Sequence, residues 1–218
     1  MQNLHLIPLL LLLIGTGPQK DSMQKNLFST QEIKLANTAA HASWMSDEEK
    51  RVILYMNLAR MDGKRFYRSF IPDYVKRHNQ IFRPVIHRNN PYLKSLKTDL
   101  WKIKNLSLLQ PDSLLHLAAA FHAKDMGDNG MTGHDSSDGT DFSDRLERFK
   151  PDCFSAAENC AYGLFDALDI VCGLLIDDEV PCLGHRINIL NHDFNTAGVS
   201  IWFHQVYRYN CVIDFCGL

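Results

Sequence analysis

The carboxyl-terminal end constrains this chain most. Val199, Ile201 and Phe203 alternate along one run, and Tyr209, Cys211, Ile213 and Phe215 along the next, with Gln205 to Arg208 between them. A period of two lays each set on one face of a strand, so the spacing predicts a hairpin with a buried side. The preceding sequence supplies helices to cover it. Ser46-Asp47-Glu48-Glu49 has capping-box spacing and opens a helix through Met61, with Val52, Tyr55, Met56 and Ala59 as its apolar stripe. Pro91 to Lys104 reads as a short amphipathic helix, in a stretch where Pro72, Pro84 and Pro91 are expected breaks. Pro111-Asp112-Ser113 opens a helix through about Met126, apolar on most sides and expected to be buried. Asp141 to Phe149 reads as a short helix, Ala156 to Tyr162 as a strand, and Asp166 to Asp177 as a further helix. This order predicts an α+β fold in which helices pack on a small sheet.

The chain has 218 residues, 45% of them hydrophobic and 22% charged, which suits one domain with a real core and excludes disorder, collagen and coiled coil. Its net charge of -2 gives no general push toward nucleic acid or an anionic membrane. That total hides a split: residues 46–105 carry +8 and residues 106–218 carry -11.

The amino end reads as an export signal. Leu4 to Ile14 is apolar except for His5 and Pro8, too short for a stable membrane span, and Gly15-Thr16-Gly17 is a small-x-small cleavage site. Residues 1–17 are therefore expected to be a signal peptide, residues 18–45 a polar linker, and the protein secreted or periplasmic. All six cysteines lie between Cys153 and Cys216, without a CxxC pair. Disulfides and small buried thiols both remain open readings. Cys211 and Cys216 are five apart in one strand and should face opposite sides, which disfavours their pairing.

The sequence holds no HExxH, GxSxG, P-loop or GxGxxG. What remains is dispersed. Glu158 interrupts an apolar strand, so it must be paired or hydrogen-bonded, with His134, His185 or Arg186 as candidates. A buried pair that merely locks two elements is the competing reading. Asp177 continues the core-facing stripe of its helix and sits at a helix C-terminus, where the macrodipole disfavours an anion, so a cation should compensate it. Two imidazoles with two carboxylates suit zinc or another divalent cation, or acid–base work. His122 and Asp125, one turn apart, read as a satisfied core pair.

Several segments together resemble a known family: Asn57-Leu58-Ala59-Arg60, the run Leu117 to Met126, Gly133-His134-Asp135, Ala157-Glu158-Asn159-Cys160-Ala161-Tyr162-Gly163, Gly184-His185-Arg186-Ile187-Asn188-Ile189-Leu190 and Phe194-Asn195-Thr196-Ala197-Gly198-Val199. Their order and spacing are similar to the CAP superfamily (SCP domain), closest to its short bacterial secreted branch, over about residues 46–216. The resemblance implies a three-layer α-β-α sandwich with a small, mainly antiparallel central sheet. It also implies a cleft with His134 and His185 as metal ligands and Glu158 and Asp177 beside them. Asp177 departs from the family, which more often has glutamate or a non-acidic residue there. A basic helical insertion at about 66–107 departs as well, and the cysteines do not follow the eukaryotic disulfide pattern.

Two functions follow from that reading. One is an extracytoplasmic binding module for a small apolar ligand, or for an extracellular or cell-envelope protein, with no nucleic-acid partner. The other is a metal-dependent, peptidase-like hydrolase with Glu158 as the catalytic base, the less favoured of the two. An adhesive role for the basic stretch competes with a merely solvated helical face.

Overall fold

The computed structural model describes residues 27–217, so the expected signal peptide lies outside the described residues. The element order is α1 (Thr30–Ala36), α2 (Asp47–Met61), α3 (Gly63–Ile81), α4 (Pro91–Leu100), β1 (Gln110–Pro111), α5 (Ser113–Asn129), α6 (Phe142–Phe149), β2 (Ser155–Tyr162), α7 (Ala167–Ile176), α8 (Gly184–Leu190), β3 (Thr196–His204) and β4 (Arg208–Gly217). The capping box at Ser46 forms as its spacing predicts: the Ser46 side chain accepts from the Glu49 N–H, and Glu49 accepts from the Ser46 N–H.

The four strands run in the order β1-β3-β4-β2, with β3–β4 and β4–β2 antiparallel and the short β1 parallel to β3. Alternation along β4 divides the molecule into layers. Cys211, Ile213 and Phe215 join the large core beneath α1, α2, α3, α4, α7 and α8. Val212 and Cys216 join the smaller clusters under α5 and α6. The result is an α-β-α sandwich. Gly198 in β3 sets the spacing on the second face: a Cβ there would lie 2.1 Å from the Leu115 carbonyl carbon and 2.1 Å from the His116 nitrogen. Helix α5 therefore rests directly on the sheet.

Three expectations change. Residues 27–45 pack as part of the core instead of forming a linker: Phe28, Ala36, Ala39, Ala42 and Met45 are buried, and Asn57 donates to the Ala36 carbonyl at 3.0 Å. A second capping box, Ser29 with Glu32, starts α1. Pro72 removes one backbone donor but does not end α3, because Phe66, Phe70, Ile71 and Tyr74 bury the helix on both sides of it. Helix α5 is buried on one face only; Leu114, Leu117 and Phe121 stand exposed on the other.

Cys153 and Cys216 form a disulfide, while Cys160, Cys172 and Cys211 are free and buried, and Cys182 is free and exposed. Cys211 and Cys216 do face opposite sides of the sheet.

Candidate functional site

Strand β2 is an edge of the sheet, and Glu158 points from it toward α5 and α6. Its carboxylate accepts from His134 Nδ1 at 2.8 Å and from Arg145 Nη2 at 2.6 Å, with His122 Nε2 at 3.8 Å. Arg145, from α6, is buried and ties the loop down as well, donating to the His134 carbonyl at 2.8 Å and to Ser136 Oγ at 3.1 Å. Burial alone would raise the Glu158 pKa. His134, His122 and Arg145 outweigh it and hold the carboxyl below its ordinary value. The same hydrogen bond raises the His134 pKa against the opposing effect of burial. His122 is fully buried, which lowers its pKa and keeps it neutral.

Asp177 and His185 form a second pair. Asp177 ends α7 in the left-handed conformation (φ 56°), which aspartate tolerates better than most residues. This turns its carboxylate to the start of α8. There it accepts from His185 Nδ1 at 2.7 Å, from the His185 N–H at 3.0 Å and from the Arg186 N–H at 3.3 Å. The compensation demanded by its helix-terminal position comes as hydrogen bonds from the His185 ring and from two free N–H groups of the next helix.

The two pairs approach the β2 edge from its two faces. Glu158 lies on the α5–α6 side, and the next residue, Asn159, faces α8. Asn159 donates to the His185 carbonyl at 3.0 Å, and Asn188 donates to Asn159 Oδ1 at 2.8 Å. In each pair Nδ1 faces a carboxylate, which fixes the ring and leaves Nε2 as the nitrogen available to a metal. A histidine whose other ring nitrogen is held by a carboxylate is the usual arrangement at zinc, and each of the two rings has it.

Each Glu158 oxygen already accepts one hydrogen bond, from His134 or from Arg145, so a metal bound there directly would compete with both. A further cluster, His122, Glu158 and Cys160, places three ligand-type atoms within 4.8 Å of one another and could hold a metal. Burial pushes the Cys160 thiol well up, so its thiolate is costly to form.

Sequence reasoning missed four residues. Arg145 lies three after Phe142 and one before Leu146, on the apolar stripe of a short helix, and that anomaly was readable. His122 does not pair with Asp125 as a core dyad. Asp125 bonds the Ser137 N–H and hydroxyl, and His122 Nε2 meets the Gly133 carbonyl at 3.0 Å. Cys160 needs the strand register to be found. So does Asp214, which stands opposite Glu158 with both oxygens buried and, when protonated, has the Glu158 carboxylate as its hydrogen-bond acceptor. Burial and the Glu158 charge push its pKa well above the usual range, so it is held protonated.

A small sheet between helical layers, with a histidine–carboxylate pair on each side of one sheet edge, defines an α-β-α sandwich protein. Residues 75–215 match the cysteine-rich secretory protein family, CAP. The chain belongs to the CAP family. It is similar to an extracellular protein containing a SCP domain from Bacillus anthracis, at 35% identity over 52% of this chain and 35% of that one, with a TM-score of 0.44. It is also similar to an outer surface protein of Borrelia burgdorferi (22% identity, 58% of this chain and 88% of that one, TM-score 0.45). A cysteine-rich secretory protein of Staphylococcus aureus gives 19% identity over 60% of this chain and 40% of that one, with a TM-score of 0.40. The chain thus spans about a third of the first of these proteins. No curated protein matches it. Among the described residues no helix is long and apolar enough to cross a membrane.

Proposed function

We propose that this is an exported CAP-domain binding module whose cleft takes up a divalent cation, zinc first, through Nε2 of His134 and His185. The observation that supports it is the pair of carboxylate-held imidazoles, His134 on Glu158 and His185 on Asp177. An ion bound by both would lie at the free edge of β2. When bound, it would supply a Lewis-acid site for an oxygen of a ligand or partner. Export rests on the apolar run Leu4 to Ile14.

Binding is favoured over hydrolysis by the state of Glu158. A general base must accept a proton from substrate or water, and this carboxylate already accepts from Arg145 and His134, which help hold its pKa low. Calorimetric zinc titration tests the reading. One ion per chain is expected, lost in His134→Ala and in His185→Ala and kept in Cys160→Ala. No uptake, or uptake unchanged in both histidine variants, refutes it. Loss in Cys160→Ala transfers the metal to the buried cluster. A chelator-sensitive hydrolysis abolished by Glu158→Gln would restore the enzymatic alternative.

A further inference from the structure

The basic stretch around α3 and α4 has no part in the cleft, and its cations are not arranged like those elsewhere. Where basic side chains meet acidic ones they pair: Arg65 with Glu32 and Asp62, Arg77 with Asp169, and Arg186 with Asp99. Lys64, Arg68 and Lys97 instead gather over a single ring, that of Trp101, at 5.9, 5.8 and 5.3 Å from its centroid. Among the described residues none of the three has a carboxylate at ion-pair distance. The Trp101 quadrupole offsets part of their mutual repulsion, and an added anion would relieve the rest.

The surroundings extend the pattern. Every exposed charged residue of α3 and α4 is basic, while Asp73 and Asp99 are half-buried. The patch is also rigid. A Cβ on Gly63 would lie 2.4 Å from the Leu100 carbonyl oxygen, so the start of α3 and the end of α4 touch backbone to backbone. The Gly63 N–H donates to the Ile103 carbonyl at 3.2 Å, and Tyr67 packs edge-on against Trp101 at 5.5 Å. Cations carried on locked helices lose less freedom on binding than cations on a loop.

We propose that this face docks an acidic polysaccharide, held through Lys64, Arg68 and Lys97 around Trp101. Charge complementarity selects an anion, and three features select this class. Trp101 is 38% exposed, with three cations over its ring and Tyr67 against it, which leaves little free platform for stacking nucleobases. Among the described residues the patch offers no other large exposed apolar side chain to enter a bilayer; Ile81 and Phe82 lie at the far end of α3. Residues 106–218 carry -11, so an anionic surface broad enough to reach past the patch, such as a membrane or a duplex, meets net repulsion from the rest of the molecule. A single flexible chain bearing sulfates, carboxylates or phosphates touches the patch alone.

Heparin serves as the probe, with the full chain on a calorimeter or sensor surface. Binding is expected to weaken on the order of tenfold or more between low and physiological salt, as for about three released counterions. The triple variant Lys64→Glu, Arg68→Glu, Lys97→Glu should lose binding on the order of 100-fold with unchanged circular dichroism. A control of identical net charge, Lys34→Glu, Lys124→Glu, Arg148→Glu, should stay within a few-fold of wild type. Heparin should also change tryptophan emission, and Trp101→Phe should remove that change. Three results overturn the proposal: no heparin binding, equal loss in the control, or tighter binding to phosphatidylserine vesicles or single-stranded DNA than to heparin. His134→Ala should leave heparin binding intact, which keeps this test separate from that of the cleft.

Discussion

Replacing Arg145 by methionine keeps an unbranched side chain in α6 while removing the charge that faces Glu158. Both side chains are 1% exposed and the contact is 2.6 Å, so the variant strands a buried carboxylate with only the imidazoles of His134 and His122 beside it. Removing one partner of a buried ion pair costs about 3–5 kcal/mol. Against a total stability of about 5–15 kcal/mol, Arg145→Met should lower the urea midpoint steeply or leave the chain unfolded at neutral pH. Glu158→Gln added to Arg145→Met removes the stranded charge, so the double variant should be more stable than Arg145→Met alone.

The pH dependence of that loss has a definite sign. In the native protein the Glu158 pKa is depressed, so its contribution is present above the unfolded carboxylate value and fades as pH falls through the folded value. Without Arg145 one of the effects that offset desolvation is gone, so the folded pKa rises. The deficit of Arg145→Met should then shrink as pH falls through that raised value. Urea melts followed by circular dichroism at neutral and mildly acidic pH measure both effects. A loss below about 1 kcal/mol at neutral pH, or single-variant losses that add within about 0.5 kcal/mol, would refute the ion-pair argument.

Gly198→Ala should destabilise by about 1–3 kcal/mol or more, because its Cβ meets the α5 backbone rather than a movable side chain; a fall in melting temperature checks this. Cys153→Ser with Cys216→Ser opens a disulfide that spans 63 residues of sequence and should cost about 4 kcal/mol in urea unfolding. Zinc affinity should fall on acidification from a point above the ordinary histidine range, because the raised His134 pKa lets protons compete early. Calorimetry at stepped pH reads this, and an affinity flat from neutral to mildly acidic pH counts against His134 as a ligand.

The elements of the second half were readable because each carries its own local signal. The alternation in β3 and β4 and the stripe of α7 needed no distant information, and the same holds for the Ser46 capping box of α2. Residues 27–45 were misread because polar composition masked the Ser29–Glu32 capping box and scattered the small apolar residues that become buried. The exposed face of α5 was misread for the opposite reason. Leu114, Leu117 and Phe121 add apolar character without saying which side the sheet takes.

The site divides along the same line. A charged residue on an apolar stripe is a local contradiction, and it identified Glu158 and Asp177 before any coordinates; the same test applied to α6 finds Arg145. The resolution of each contradiction is not local. Asp177 is answered by two N–H groups of α8 and by a ring eight residues on, and Glu158 by a helix thirteen residues back. Asp214 shows the limit. It stands in an alternating strand where a buried carboxyl is as anomalous as Glu158, yet only the register that sets it opposite Glu158 explains its protonation. Two carboxyl groups facing one another in a dry layer cannot both ionise cheaply. Arg145 and His134 therefore decide which of them carries the charge: both bond Glu158 and neither bonds Asp214.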